Sequence, residues 1–159
     1  MVDVTSYLVD WSIKFLENKD VIRKEIVKIE KNVSGFDFAV HYKDKVKYVI
    51  IVPALVNDIF SKMQIDAAFG VFTLNNFVNI RFVVSEWKRL TNFKFLNIYF
   101  INPFSSHDKV WTINPYVHDK ICDSASLEPG LKSMSEMVAP LGVEELNNKI
   151  KSLREESGL

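Results

Sequence analysis

The stretch Gly35-Phe36-Asp37-Phe38-Ala39-Val40-His41-Tyr42-Lys43-Asp44-Lys45-Val46-Lys47-Tyr48-Val49-Ile50-Ile51-Val52-Pro53 reads as a β-hairpin and decides the fold class. On a strand over 36–43 the alternation puts Phe36, Phe38, Val40 and Tyr42 on one face and Asp37, Ala39 and His41 on the other. The second strand, 47–53, is apolar on both faces, as a strand in the middle of a sheet is. Pro53 ends it, because proline has no N–H to give to a ladder. Asp37 is thus an acid on the first strand of a hairpin whose second strand closes on Ile51-Val52-Pro53, with neither acid nor cation.

N-terminal to the hairpin, Asp3 or Thr5 caps a helix whose buried stripe is Val4, Leu8, Trp11 and Phe15, ending near Asn18. Residues 22–31 alternate as a strand, and Asn32 to Gly35 turn into the hairpin. C-terminal to it, residues 54–70 show no clean period and read as a mobile loop ending at Gly70. From Thr73 to Thr91 the period returns to that of a helix, with Phe77, Ile80, Val83, Val84, Trp87 and Leu90 on one arc. Strands over Phe93 to Ile101 and Lys109 to Ile113 follow, each closed by Ile-Asn-Pro and an aromatic, which is turn chemistry. Residues 122–130, ending Pro129-Gly130, read as a loop, and helices over Leu131 to Val138 and Val143 to Glu155 complete the chain. The order α-β-β-β-α-β-β-α-α predicts an α+β fold, a mixed sheet of about five strands flanked by helices.

At 159 residues and 48% hydrophobic the chain suits one domain, 1–159, with a full core. Twenty basic and twenty acidic residues cancel, so any attraction for nucleic acid must come from a local patch. A single cysteine, Cys122, excludes an intrachain disulfide and points to a reducing compartment. No apolar run approaches the ~20 residues that span a bilayer, so a soluble, intracellular protein without a membrane partner is expected.

Hydrolysing a phosphodiester needs anionic oxygens neutralised and a water activated, and carboxylates are the usual means. Asp37 is one candidate; His41 shares its face but lies roughly 13 Å along the strand, too far to hold the same ion. Glu86 is the other. It flanks the apolar arc of the helix within Ser85-Glu86-Trp87-Lys88-Arg89, which joins an acid, an aromatic and two cations in about a turn and a half. A flank glutamate with an arginine three residues on is equally the pattern of a surface ion pair. Arg81, Lys88, Arg89 and Lys94 form a candidate phosphate-tracking stripe. Glu25 and Glu30 read as solvated strand residues, and His107-Asp108 and His118-Asp119 lack the spacing of a zinc site. Neither a glycine-rich phosphate loop nor a Gly-x-Ser-x-Gly elbow occurs.

Over nearly its whole length the chain resembles the small nucleases of filamentous lipothrixviruses of hot acidic springs, which infect Acidianus, and distantly type II restriction-endonuclease-like folds. The hairpin Gly35 to Pro53, the segment Val84-Ser85-Glu86-Trp87-Lys88-Arg89-Leu90 and the endings at 101–104 and 113–116 carry the likeness. In restriction-endonuclease-like enzymes such a hairpin bears Asp on its first strand and Glu-x-Lys at the end of its second; here only Asp37 is in place. The resemblance implies cleavage of linear double-stranded DNA in the host cytoplasm, for viral genome processing or degradation of host DNA. It favours Glu86 over the hairpin acid, so the first expectation is a nuclease with Glu86 as principal carboxylate, general base or metal ligand, Asp37 as its helper, and a divalent metal, magnesium first. Ala68, in the loop, offers no functional group. Two rival expectations stand beside it. One is a nuclease-like fold without activity that binds DNA or protein, favoured by the missing Glu-x-Lys and the zero net charge; the other is a plain structural or assembly protein.

Overall fold

The computed structural model describes residues 3–157. The first helix, α1 (Val4–Lys19), starts where the Asp3 carboxylate accepts from Ser6 N at 2.6 Å, and it buries Leu8, Val9, Ser12 and Leu16. Asp20 then folds the chain back, its carboxylate accepting from Glu25 N and Ile26 N at 2.9 Å each. Lys24 takes a φ of +52°, so the strand expected from residue 22 begins only at Ile26.

Strands β1 (Ile26–Val33), β2 (Phe36–Tyr42) and β3 (Val46–Ile51) form an antiparallel meander. The β1–β2 turn places Ser34 and Gly35 between the paired Val33 and Phe36, with φ of +53° and +82°. Two central residues of positive φ make a type I′ turn, whose twist suits a two-residue hairpin. Phe36, next to that glycine, leaves the face it was expected to share with Phe38, Val40 and Tyr42 and packs on Tyr48 and Phe69, 4.9 and 5.6 Å between ring centroids.

The short α2 (Ile59–Lys62) leads into β4 (Ala68–Leu74), parallel to β3. This corrects two expectations. The segment 54–70 is not a free loop: Leu55, Ile59 and Met63 are buried, and its last residues are already strand. Ala68-Phe69-Gly70-Val71-Phe72-Thr73-Leu74 shows no alternation because β4 is covered on both faces, so no polar residue marks an outside. The helix expected over 73–91 is accordingly two, α3 (Phe77–Ser85) and α4 (Trp87–Leu90), hinged at Glu86 with φ −102° and ψ 16°.

From α4 the chain enters β5 (Phe95–Ile101), parallel to β4, and then β6 (Val110–Ile113), antiparallel to β5. The sheet is mixed and six-stranded in the order β1-β2-β3-β4-β5-β6. Three helices follow: α5 (Pro115–Asp119), α6 (Ser124–Ser135) and α7 (Val143–Glu156). Asn114 caps α5 by accepting from Val117 N at 3.0 Å, with Pro115 at its first position, so the second Ile-Asn-Pro is a helix start. The first is a turn, Asn102 Oδ1 accepting from Phe104 N at 2.9 Å. α6 overrides the loop reading of 122–130. Asp123 caps it by accepting from Ser126 N at 2.8 Å, and Leu127 and Leu131, one turn apart, are both buried. Pro129 is carried inside at a helix-interior cost of about 3 kcal/mol, offset by that burial.

The sheet lies between two helical layers. Ile50, Phe69, Val71, Leu96, Ile98 and Phe100 face α3, α4 and α6, while Val49, Ile51, Phe72, Leu74, Tyr99 and Ile101 face α1 and α7. At the C-terminal ends of β4 and β5, where open α/β sheets usually leave a ligand crevice, asparagines tie the neighbouring segments together, and Asn75 and Asn76 line a cavity of about 300 Å3 with Phe77, Ile80 and Val138. Asn75 Nδ2 donates to Ser135 O and Val138 O, and its Oδ1 accepts from Trp111 Nε1 at 2.7 Å. Asn79 ties Leu55 N to the carbonyls of Pro53 and Leu74. No helix among the described residues is long and apolar enough to cross a membrane.

Candidate functional site

Glu86 stands at the hinge where α3 stops and α4 begins. Its side chain is 23% exposed, and Oε2 lies 3.5 Å from Arg89 Nη1. The arginine is itself fixed, its guanidinium carbon 3.9 Å above the Phe60 ring centroid, a cation–π contact that leaves the N–H groups at the rim free to address an anion. Trp87 turns inward and is buried; its indole N–H donates to Asp119 Oδ1 at 2.8 Å, and His118 meets the ring edge-on at 5.7 Å. The His118-Asp119 pair thus positions α4 against α5.

At α5 two lysines gather on one tyrosine ring. Lys120 Nζ donates to Tyr116 Oη at 2.9 Å and sits 4.1 Å from that ring's centroid, with Lys94 Nζ 5.9 Å from the same ring. The Lys120 hydrogen bond, and then its charge, lower the Tyr116 phenol from its ordinary value. Arg81, Lys88, Arg89 and Lys94 are all exposed. Of these, Arg89 and Lys94 are held on aromatic rings, and Lys88 is their neighbour in α4.

Asp37 is elsewhere. Its Oδ2 accepts from Ile51 N at 2.7 Å, tying the start of β2 to the last residue of β3. Ile51 pairs with Phe72 near the C-terminal end of β4, whereas α3 leaves from that end and returns to the beginning of β5. Glu86 and Asp37 are therefore separated by at least the length of α3, ~13 Å at 1.5 Å per residue. The structure does not bring these two carboxylates together. Among the described residues no three His, Cys, Asp or Glu side chains converge as a metal cluster.

The remaining acids and histidines are dispersed. Glu30 lies 3.3 Å from Lys28 Nζ and 2.6 Å from His41 Nε2 across the first hairpin. Glu25 and His107 are exposed, and Asp108 bridges to Val138 beside β6. Burial first, and the charges of Asp119 and Asp123 next, push the Cys122 thiol up, against a thiolate. Ala68 starts β4 and pairs with Lys47 and Phe95.

One constellation escaped the sequence reading. Lys47, on β3, is 6% exposed, and its Nζ donates to Tyr99 Oη at 2.5 Å across the intervening β4. Gly70 makes that crossing possible: a Cβ there would stand 3.1 Å from Lys47 Cε and 3.3 Å from Tyr99 Cε2. The signal was available, as a single cation within Val46-Lys47-Tyr48-Val49-Ile50-Ile51, a strand already read as buried on both faces.

Compared with known proteins, the chain matches no family model, no curated protein and no solved structure.

Proposed function

We propose that the chain is a nuclease that hydrolyses linear double-stranded DNA, with Glu86 as its principal carboxylate. What supports this reading is the half-shielded Glu86 between α3 and α4, with Arg89 held on Phe60 beside it and the Lys94–Tyr116–Lys120 group at α5, against which α4 packs. In this reading Glu86 accepts the proton of the attacking water. Lys88 and Arg89 neutralise the scissile phosphate, while Lys94 and Arg81 track the backbone. Magnesium commonly binds through one or two carboxylates together with water and substrate phosphates. The residues fit it only in that form, with Glu86 contributing alone, since Asp37 is engaged at the other end of the sheet. Bound so, the ion would lower the pKa of the attacking water and offset charge on the phosphate. Asp37 is assigned to holding the hairpin.

The second reading is a DNA-binding or interaction protein of this fold without cleavage. Asp37 committed to a backbone N–H and the balanced charge of the chain favour it.

Purified protein incubated with linear and with closed circular duplex, with and without magnesium, beside Glu86→Ala and Asp37→Ala, separates the two. The nuclease reading expects cleavage of linear DNA, a loss of at least ~100-fold in Glu86→Ala at unchanged fold, and retained activity in Asp37→Ala where that variant folds. Full activity in Glu86→Ala would overturn the site. Salt-sensitive DNA retention without cleavage by the parent protein would establish the second reading.

A further inference from the structure

Lys47 presents a primary amine under conditions unlike those of any surface lysine of this chain. It lines a cavity of about 580 Å3 at the N-terminal ends of β3, β4 and β5, together with Lys45, Asp44, Asp66, Asn97 and Asn114. That volume suits a small ligand, and the lining offers both donors and acceptors. Among the described residues no carboxylate lies within ion-pair distance of the amine; its polar partner is the Tyr99 hydroxyl. Burial first, then the charges of Lys45 and Lys19, bring the amine from 10.5 down to about 7. A desolvated lysine beside other cations is how proteins activate an amine as a nucleophile.

We propose that Lys47 is a nucleophile for a small polar aldehyde or ketone, which it takes up in this cavity as an imine. The neutral amine adds through its lone pair to the carbonyl carbon, and the C=O π pair moves to oxygen. The Tyr99 hydroxyl accepts a proton from the amine nitrogen and passes its own to that oxygen, giving a carbinolamine. Loss of water then forms the C=N bond, so that one carbonyl compound and the Lys47 amine become one imine and one water, with no change of oxidation state. Burial holds the Tyr99 phenol well above its ordinary value, so it stays protonated as this relay requires. Gly70 is the positioning residue, because any side chain there would press on the lysine and tyrosine together. The site is independent of Glu86 and of DNA cleavage.

The test is to incubate the full chain near neutral pH with limiting glycolaldehyde and sodium cyanoborohydride, which fixes an imine as a stable secondary amine, and to map the mass increment by peptide. An amine near 7 is neutral roughly a thousand times more often than one near 10.4. Even after losses to access, Lys47 should label at least ~10-fold faster than the exposed lysines, Lys45 among them. Tyr99→Phe, which keeps the amine and removes the relay, should slow labelling of Lys47 alone. Lys47 remaining unlabelled, or labelling no faster than the exposed lysines in the parent protein, would overturn the proposal. Because the parent is mapped site by site, the result does not depend on any variant folding.

Discussion

Replacing Lys47 with methionine should make this protein more stable in mild acid and less stable in alkali, with a crossing between. The amine is 10.5 in its ordinary state and about 7 when folded. At about 1.36 kcal/mol per pH unit, the charged form in the folded state costs ~5 kcal/mol. Below about pH 7 the lysine is protonated both folded and unfolded, and that cost is fully felt. Between about 7 and 10.5 the unfolded chain binds the proton and the folded one does not. Stability from this group therefore rises with pH by up to ~1.4 kcal/mol per unit. Methionine, similar in length, removes the titration but leaves the Tyr99 hydroxyl without its partner, a loss of ~1–2 kcal/mol. The variant should then be more stable by ~3 kcal/mol near pH 6, a rise in Tm of roughly 6–12 °C for a domain of this size. The advantage should vanish near about pH 9 and reverse above it. Urea unfolding of both proteins at a series of pH values measures the difference directly, below the range where Tyr99 itself ionises. A variant less stable than its parent near pH 6, or a difference that does not change with pH, refutes the argument.

Other perturbations follow the same reasoning. Gly70→Ala should destabilise by ~1–3 kcal/mol through the close approach to Lys47 and Tyr99; in a double-mutant cycle with Lys47→Ala most of that loss should disappear, whereas strict additivity would show the crowding lies elsewhere. Asn75→Ala strands the Trp111 indole N–H and two buried carbonyls, so calorimetry should find a loss of ~3 kcal/mol or more, and a change under ~1 kcal/mol would contradict the asparagine tie. Asp119→Ala frees the Trp87 indole N–H, at ~1–2 kcal/mol, and should alter the tryptophan emission; unaltered emission and stability would mean that α5 does not position α4 through this bond.

The meander could be read from residues because each of its strands meets water on at least one face or at one end. Asp37, the turn glycine and the closing Pro53 punctuate it, and the I′ turn at Ser34-Gly35 follows from local chemistry. β4 could not be read in the same way. A strand covered by helices on both faces loses the polar alternation that reveals strands, and Thr73 and Leu74 then pass for the start of the next helix. The break at Glu86 was hidden for a related reason: Ile80, Val83, Trp87 and Leu90 are all buried and keep helical spacing across it, so the period continues while the backbone does not. Glu86 with Arg89 was legible because three residues separate them. Trp87 with Asp119, thirty-two residues apart, and Lys47 with Tyr99, fifty-two apart, depend on how sheet and helices close, and no local pattern encodes that.

The direction of the helices sets the terms on which this protein meets an anion. At the N-terminal end of the parallel strands α1 and α3 finish, Lys19 of α1 lying near Lys47 and Glu86 terminating α3. A helix presents roughly half a negative charge at its C-terminus. α4 and α5 begin at the same end, so their N-terminal N–H groups offset part of that charge, and attraction for a phosphate rests chiefly on the lysine and arginine heads. In the proposed reading such a surface would hold DNA chiefly by displacing counterions, so neutralising two or three of its cations would weaken binding and flatten its salt dependence.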